Sequence, residues 1–263
     1  MSVKAVLFDL DDTLLWDERS VSEAFKDTCR LGAEAAGLDA DSLEETVRRE
    51  ARSLYETYDT FAFTKMIGIN PFEALWGHFR QGEHPMFRKL EALAPEYRLN
   101  AWTRGLAALG VDDPELGKKL AEWFPAQRRK LPYVYEETFA VLDELRDTYK
   151  LLLLTNGSPD LQQEKLDGMP TLIPYFDSIV ISGNFGEGKP SPKLFAYAME
   201  QIGITADEGV MVGDKLTTDI LGANRVDMKS VWINRHGIER SDEIIPTYEI
   251  KSLNELTDLL KKI

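Results

Sequence analysis

The chain has 263 residues, 43% of them hydrophobic and 29% charged, enough for one large domain or two moderate ones with cores of their own. Its 31 Lys+Arg against 45 Asp+Glu leave a net charge of −14. That argues against nucleic acid or an anionic membrane as partner, because a basic face supplies most of such affinity. The single cysteine, Cys29, excludes an intramolecular disulfide and a thiolate zinc cluster. No apolar run approaches the length of a membrane span. Asp9 interrupts the first apolar stretch too early for a signal peptide, so a cytoplasmic protein is expected.

Residues 3–8 are the first of five short apolar runs, followed by 151–154, 178–181, 210–212 and 230–233, with a sixth candidate at 248–250. Near-continuous apolar runs suit strands buried on both faces of a parallel sheet. Between residues 16 and 131 the periodicity is helical and no strand stands out. Asp41-Ser42-Leu43-Glu44 reads as a capping box, and Asn70-Pro71 and Asp113-Pro114 each place a capping residue before a helix-starting proline. Past residue 131, helical patterns occupy 138–149, a segment opening at Ser158-Pro159, 192–203 and 252–262. Strands alternating with helices predict an α/β fold, a doubly wound parallel sheet with right-handed crossovers. Residues 16–131 form an inserted all-helical unit in this reading. The core then comprises 1–15 and 132–263, and hinges are expected near 15–17 and 131–132.

The chemistry-bearing residues fall just past the predicted strands, the edge where open α/β sheets place their ligands. After the first run come Asp9-Leu10-Asp11-Asp12-Thr13. Strand alternation would set the Asp9 and Asp11 carboxylates side by side, where they repel unless a cation or a proton joins them. An EF-hand is excluded, because its glycine and closing glutamate would fall at Leu14 and Ser20. Thr155-Asn156-Gly157 follows the second run, offering a hydroxyl and backbone N–H groups to a phosphate. Lys189 lies in Gly188-Lys189-Pro190-Ser191-Pro192, and Gly213-Asp214 with Asp219 follows the fourth run. Two carboxylates, a hydroxyl, one cation and a further acidic pair, with no Cys or His cluster, favour Mg²⁺. Mg²⁺ with a lysine is a usual means of neutralising a transferring phosphoryl group.

In these four motifs, Asp9-x-Asp11-x-Thr13, Thr155-Asn156-Gly157, Lys189-Pro190-x-Pro192 and Gly213-Asp214-x4-Asp219, the chain resembles the haloacid dehalogenase-like hydrolase superfamily. The likeness is to its phosphatase branch, with a helical cap between the first and second motifs. It implies a Rossmann-like core with a cap closing over the site, Asp9 as nucleophile and Asp11 as acid and base. Thr155, Asn156 and Lys189 would bind the phosphoryl group. Mg²⁺ would be held by Asp9, the Asp11 backbone carbonyl and Asp214, with Asp219 behind them orienting Lys189 or metal-bound water. An acid at Asp11 implies ester hydrolysis rather than carbon–halogen cleavage, because a halide leaves without a proton. The expected partner is a small phosphorylated metabolite: phosphoserine, a sugar phosphate, an N-acyl sugar-acid phosphate or a nucleoside monophosphate. The expected assembly is a monomer or homodimer. A phosphomutase, or a catalytically silent binding protein, are the alternatives. Trp76, Trp102, Trp123 and Phe124 are expected to form the core of the cap.

Overall fold

The computed structural model describes residues 2–240 and 242–263. By packing the chain divides into two units. One holds the N-terminal segment through Trp16 with Val134–Gly157 and Met169–Ile263; the other holds Asp17–Tyr133 and Ser158–Gly168.

The first unit is a six-stranded, all-parallel sheet: β1 (Ala5–Phe8), β2 (Lys150–Thr155), β3 (Ser178–Ile181), β4 (Gly209–Gly213), β5 (Lys229–Ile233) and β6 (Tyr248–Ile250), ordered β3-β2-β1-β4-β5-β6. The apolar runs are continuous because both faces of the sheet are covered. Ala5, Leu7, Leu152, Leu154 and Met211 pack with Leu194, Phe195 and Ala198 of the Pro192–Ile202 helix. The alternate set, Val6, Phe8, Leu151, Leu153, Val210 and Val212, is buried as completely. Each such side chain contributes about 1.5–3 kcal/mol on leaving water, so the strand assignment follows from burial more than from propensity. The strand order reverses at β1, between β2 and β4. Register aligns Phe8 with Leu153 and Val212, and Gly213 with Trp232. The carboxyl ends of these strands therefore open on one rim at the switch point.

The second unit is helical among the described residues. Ala40–Thr57 packs along Pro85–Ala107, and Asp17–Ala36 along Pro114–Arg129. Asn70 caps its helix in a capping box with Glu73, and Asp113 caps Pro114–Arg129. The box expected at Asp41–Glu44 does not form: the helix starts earlier, at Ala40, and Asp39 caps it by accepting from the Ser42 N–H. Trp76, Trp102 and Phe124 are buried in this unit's core, whereas Trp123 is exposed, its indole N–H donating to Asp27.

Residues 158–168 differ from their expected place. The Pro159–Asp167 helix follows the second strand in sequence but packs with the helical unit. Leu161 joins that unit's apolar core, and only a glycine leaves it room, since a Cβ on Gly77 would stand 2.3 Å from a Leu161 methyl. Lys165 is buried 3.1 Å from Glu73 and 3.5 Å from Asp17, whose carboxylate also pairs with Arg128. The chain thus passes between the units four times, not twice. Among the described residues no helix is long and apolar enough to cross a membrane.

Candidate active site

The rim of the sheet gathers Asp9, Thr13, Thr155, Lys189, Asp214 and Asp219. Asp9 follows β1 directly, with its N–H donating to the Val212 carbonyl at 2.9 Å. Lys189 arrives from the loop beyond the Ser182–Phe185 turn of helix. Its ammonium donates to Asp9 Oδ1 at 2.5 Å and to the Leu154 carbonyl at 2.7 Å, and lies 2.8 Å from Asp219 Oδ1. Lys189 is 4% exposed and Asp219 1%, so this cation is fixed between two carboxylates and shielded from water.

Asp9, Asp214 and Asp219 each offer a carboxylate oxygen within 4.8 Å of the others, a group able to hold a metal ion. Burial pushes the Asp9 carboxyl up to about 6, opposed by Lys189 and helped by the charge of Asp219. Burial also pushes Asp214 up to about 9, and the charges of Asp9 and Asp219 add to the rise. For Lys189, burial disfavours the ammonium, but Asp219 and Asp9 outweigh it and hold the group above its ordinary value. Three carboxylates face one lysine, leaving two negative charges uncompensated when all are ionised. An all-oxygen donor set with that surplus fits a hard divalent cation such as Mg²⁺.

The expected side-by-side pairing of Asp9 with Asp11 is not what gathers the carboxylates. β1 ends at Phe8, and the chain then turns tightly, with the Leu14 and Leu15 N–H groups donating to the Leu10 carbonyl and Asp12 at φ 61°. The two-residue alternation of a strand stops there, and the Asp11 carboxylate is outside the Asp9–Asp214–Asp219 group. Asp219, expected only in support, belongs to it. Its Oδ1 meets Lys189 and its Oδ2 accepts the Lys215 N–H at 3.0 Å. A π-helical turn, Leu216–Ile220, brings Asp219 back toward β4, and a Cβ on Gly213 would stand 2.3 Å from Asp219 Oδ2. The glycine of Gly213-Asp214 is therefore dictated by the carboxylate behind it.

Asn156 was expected to meet the phosphoryl group, but its side chain is engaged elsewhere. Nδ2 donates to the Lys189 carbonyl at 3.0 Å, and Oδ1 accepts the Lys189 N–H at 2.7 Å. It grips the backbone that presents Lys189. Thr155, 1% exposed, ends β2 beside these groups, and the Gly157 N–H donates to Ser182 Oγ at 2.9 Å.

Sequence reading assigned no role in the site to three positions, Thr13 of the first motif, Trp232 of the fifth apolar run, and Arg235. The Thr13 hydroxyl lies 3.3 Å from Asp9 Oδ2 and accepts the Asp214 N–H at 3.1 Å. The Trp232 indole N–H donates to the Asp214 carbonyl at 2.7 Å. Arg235 donates to the Thr13 carbonyl at 3.2 Å. Trp232 and Arg235 lie at and just beyond the carboxyl end of β5, so their place on the common rim was the available signal.

Against known proteins, the sequence profile of the haloacid dehalogenase-like hydrolases matches residues 3–227. The chain is 35% identical over 255 residues to the phosphoserine phosphatase of Thermus thermophilus, covering 97% of this chain and 98% of that protein. It is 32% identical over 268 residues to the glyceraldehyde 3-phosphate phosphatase of Methanopyrus kandleri, covering 99% and 98%. Among solved structures, the magnesium-bound HAD-hydrolase YfnB of Bacillus subtilis superposes with a TM-score of 0.69 at 24% identity, covering 99% of each chain, a likeness of fold.

Proposed function

The chain belongs to the haloacid dehalogenase-like hydrolase family, and from that premise we propose that it is a Mg²⁺-dependent phosphomonoesterase for small phosphorylated metabolites, working through an aspartyl-phosphate on Asp9. One observation carries the reading: a buried lysine lodged between Asp9 and Asp219, with the Asp214 carboxylate alongside. That arrangement presents a fixed nucleophile beside a fixed positive charge, with room in the charge balance for a divalent cation.

In this reading the Asp9 carboxylate attacks phosphorus, and the bond from phosphorus to the ester oxygen breaks. Asp11 gives its proton to the departing oxygen, then takes a proton from the water that attacks the phosphoenzyme, releasing phosphate and restoring Asp9. Lys189 offsets charge on Asp9 and on the phosphoryl oxygens, and the Thr155 hydroxyl donates to one of them. Asp9, Asp214 and the Asp11 carbonyl would hold Mg²⁺, which supplies compensation for the surplus negative charge when bound. Asp219 keeps Lys189 oriented.

The relatives named above act, by their names, on phosphoserine and on glyceraldehyde 3-phosphate. Both are three-carbon monoesters, which supports that class as the first to try. The test is phosphate release from these two compounds, sugar phosphates and nucleoside monophosphates, with and without Mg²⁺, ranked by kcat/KM. Asp9→Asn is the control. Mg²⁺-dependent turnover lost in that variant is expected. Turnover surviving in it, or no turnover of any ester by a folded, Mg²⁺-binding protein, would refute the proposal. Product analysis on sugar phosphates tells hydrolysis from a mutase, which hands the phosphate back to the sugar.

A further inference from the structure

Thr13 is fully buried, and its two polar groups point to different partners. Its hydroxyl reaches Asp9 and Asp214, while its carbonyl accepts from Arg235 Nη2 at 3.2 Å. Arg235 lies outside all four motifs. Its Nη1 donates to Glu137 Oε1 at 2.7 Å, and its guanidinium carbon stands 3.6 Å from the centre of the Tyr135 ring, which stacks on Trp16 at 5.4 Å. Glu137 Oε1 also accepts from Ser252 Oγ at 3.1 Å. The two paired side chains are only 13% and 12% exposed. This is not a solvated surface pair, which would contribute little. Burial works against the Glu137 charge, but the Arg235 guanidinium and the Ser252 hydroxyl outweigh it and hold its carboxyl below the usual range.

The segment after β1 needs such a hold. The Asp9 N–H still donates to the Val212 carbonyl, but past it the chain leaves the strand ladder, and the Asp12, Leu14 and Leu15 N–H groups donate within the turn, to the Leu15 and Leu10 carbonyls. At the end of the turn two successive carbonyls add backbone ties to the rest of the unit. That of Leu14 accepts from the Tyr135 N–H at 3.2 Å and the Thr138 hydroxyl at 2.9 Å. That of Thr13 accepts from Arg235, whose partner Glu137 belongs to the same 134–138 stretch. A guanidinium suits this place because its planar fork can meet a carboxylate and a carbonyl at once, which a single ammonium does not do with the same geometry.

We propose that Arg235 is a positioning residue for hydrolysis, a strut from Glu137 to the Thr13 backbone that sets the Thr13 hydroxyl against Asp9 and Asp214. The inference rests on the phosphatase reading. Small displacements of reacting groups are costly in rate, and groups that orient metal ligands are commonly worth 10–100-fold. Arg235→Met is therefore expected to lower kcat on p-nitrophenyl phosphate by about 10–100-fold while leaving KM within about threefold.

The decisive comparison is a double-mutant cycle. If Arg235 acts through Thr13, then in a Thr13→Val background Arg235→Met costs less than about a further twofold. Effects that multiply, or an unchanged kcat in the single variant, would overturn the strut. Arg235→Lys guards against a variant that fails to fold; it keeps the positive charge and is expected to lose kcat at unchanged KM. Wild-type activity equal to that of Arg235→Lys and Arg235→Met would count against the strut alone, while absent wild-type activity would count against the phosphatase reading. In that second case a crystal structure of either Arg235 variant decides. The Thr13 hydroxyl is expected to leave hydrogen-bond distance of the Asp214 N–H, and a Thr13 that stays in place overturns the proposal.

Discussion

Neutralising different members of the rim cluster should move stability in opposite directions when no metal is bound. Like charges at the 4.8 Å limit of the Asp9–Asp214–Asp219 group repel by about 3 kcal/mol per pair at an effective dielectric of about 20. Among the described residues, Lys189 is the cation paired with that group, at 2.5 Å from Asp9 and 2.8 Å from Asp219. Lys189→Met removes the attraction and leaves the carboxylates buried, a change that costs about 3–5 kcal/mol, or roughly 6–20 °C in Tm for a chain of this size. Asp214→Asn removes a carboxyl that burial and the neighbouring charges of Asp9 and Asp219 force to hold a proton. In the folded, metal-free protein Asp214 keeps its proton up to about pH 9, against an ordinary value of 3.8. The stability it contributes is complete below about pH 4 and is lost as pH rises toward 9, at up to about 1.4 kcal/mol per unit. The Asn variant does not follow that decline, so between pH 5 and pH 8 it should gain up to about 4 kcal/mol on the wild type. Thermal unfolding in EDTA, followed by circular dichroism across this pH range, reads both effects. A Lys189→Met protein as stable as wild type, or an Asp214→Asn protein that is less stable at pH 8, would show that the cluster carries no such electrostatic stress. Mg²⁺ should then raise the wild-type Tm, and more at pH 8 than at pH 6, because its ligands must shed protons to bind.

Asp9→Asn should abolish phosphate release while leaving circular dichroism and the metal-free Tm at or above wild type, since it too removes a buried repelling charge. Gly213→Ala should cut kcat at least about tenfold, because the new methyl would occupy the position of the Asp219 carboxylate; activity close to wild type would mean that Asp219 can move without consequence. In the helical unit, Lys165→Met removes the partner of Glu73 and Asp17 and should cost about 3–5 kcal/mol in urea unfolding. Glu73→Gln in the same chain should restore part of that loss by removing the charge left unpaired.

The sheet was legible because its signal is hydrophobic burial. Runs such as 151–154 have no polar alternation to confuse with an exposed strand, and the structure pairs all six predicted strands in parallel. The order of the motifs was legible for the same reason, since each follows a strand and all strands point one way. Where sequence reading stopped was at the first residue beyond the ladder. Period two extended past Phe8 pairs Asp9 with Asp11, but a backbone that turns at Asp12 with positive φ obeys no period.

Asp219 shows the same limit from the other side. Five residues beyond Asp214, it would take an unrelated direction on a regular helix. The π-helical turn, in which the Ile220 N–H donates to the Lys215 carbonyl, returns it to Lys189. Such a turn leaves no mark in hydropathy. The placement of 158–168 was hidden differently: a short helix carrying Leu161 and Lys165 has no strong apolar stripe, and its burial depends on Glu73 and Asp17, more than ninety residues earlier in the case of Glu73. Arg235 combines both difficulties, a polar side chain whose partners are a backbone carbonyl and a glutamate 98 residues away. Hydrophobic pattern fixes where the rim is, but the polar contacts that make its geometry usable are long-range and backbone-directed, so they can be read only once the chain is folded.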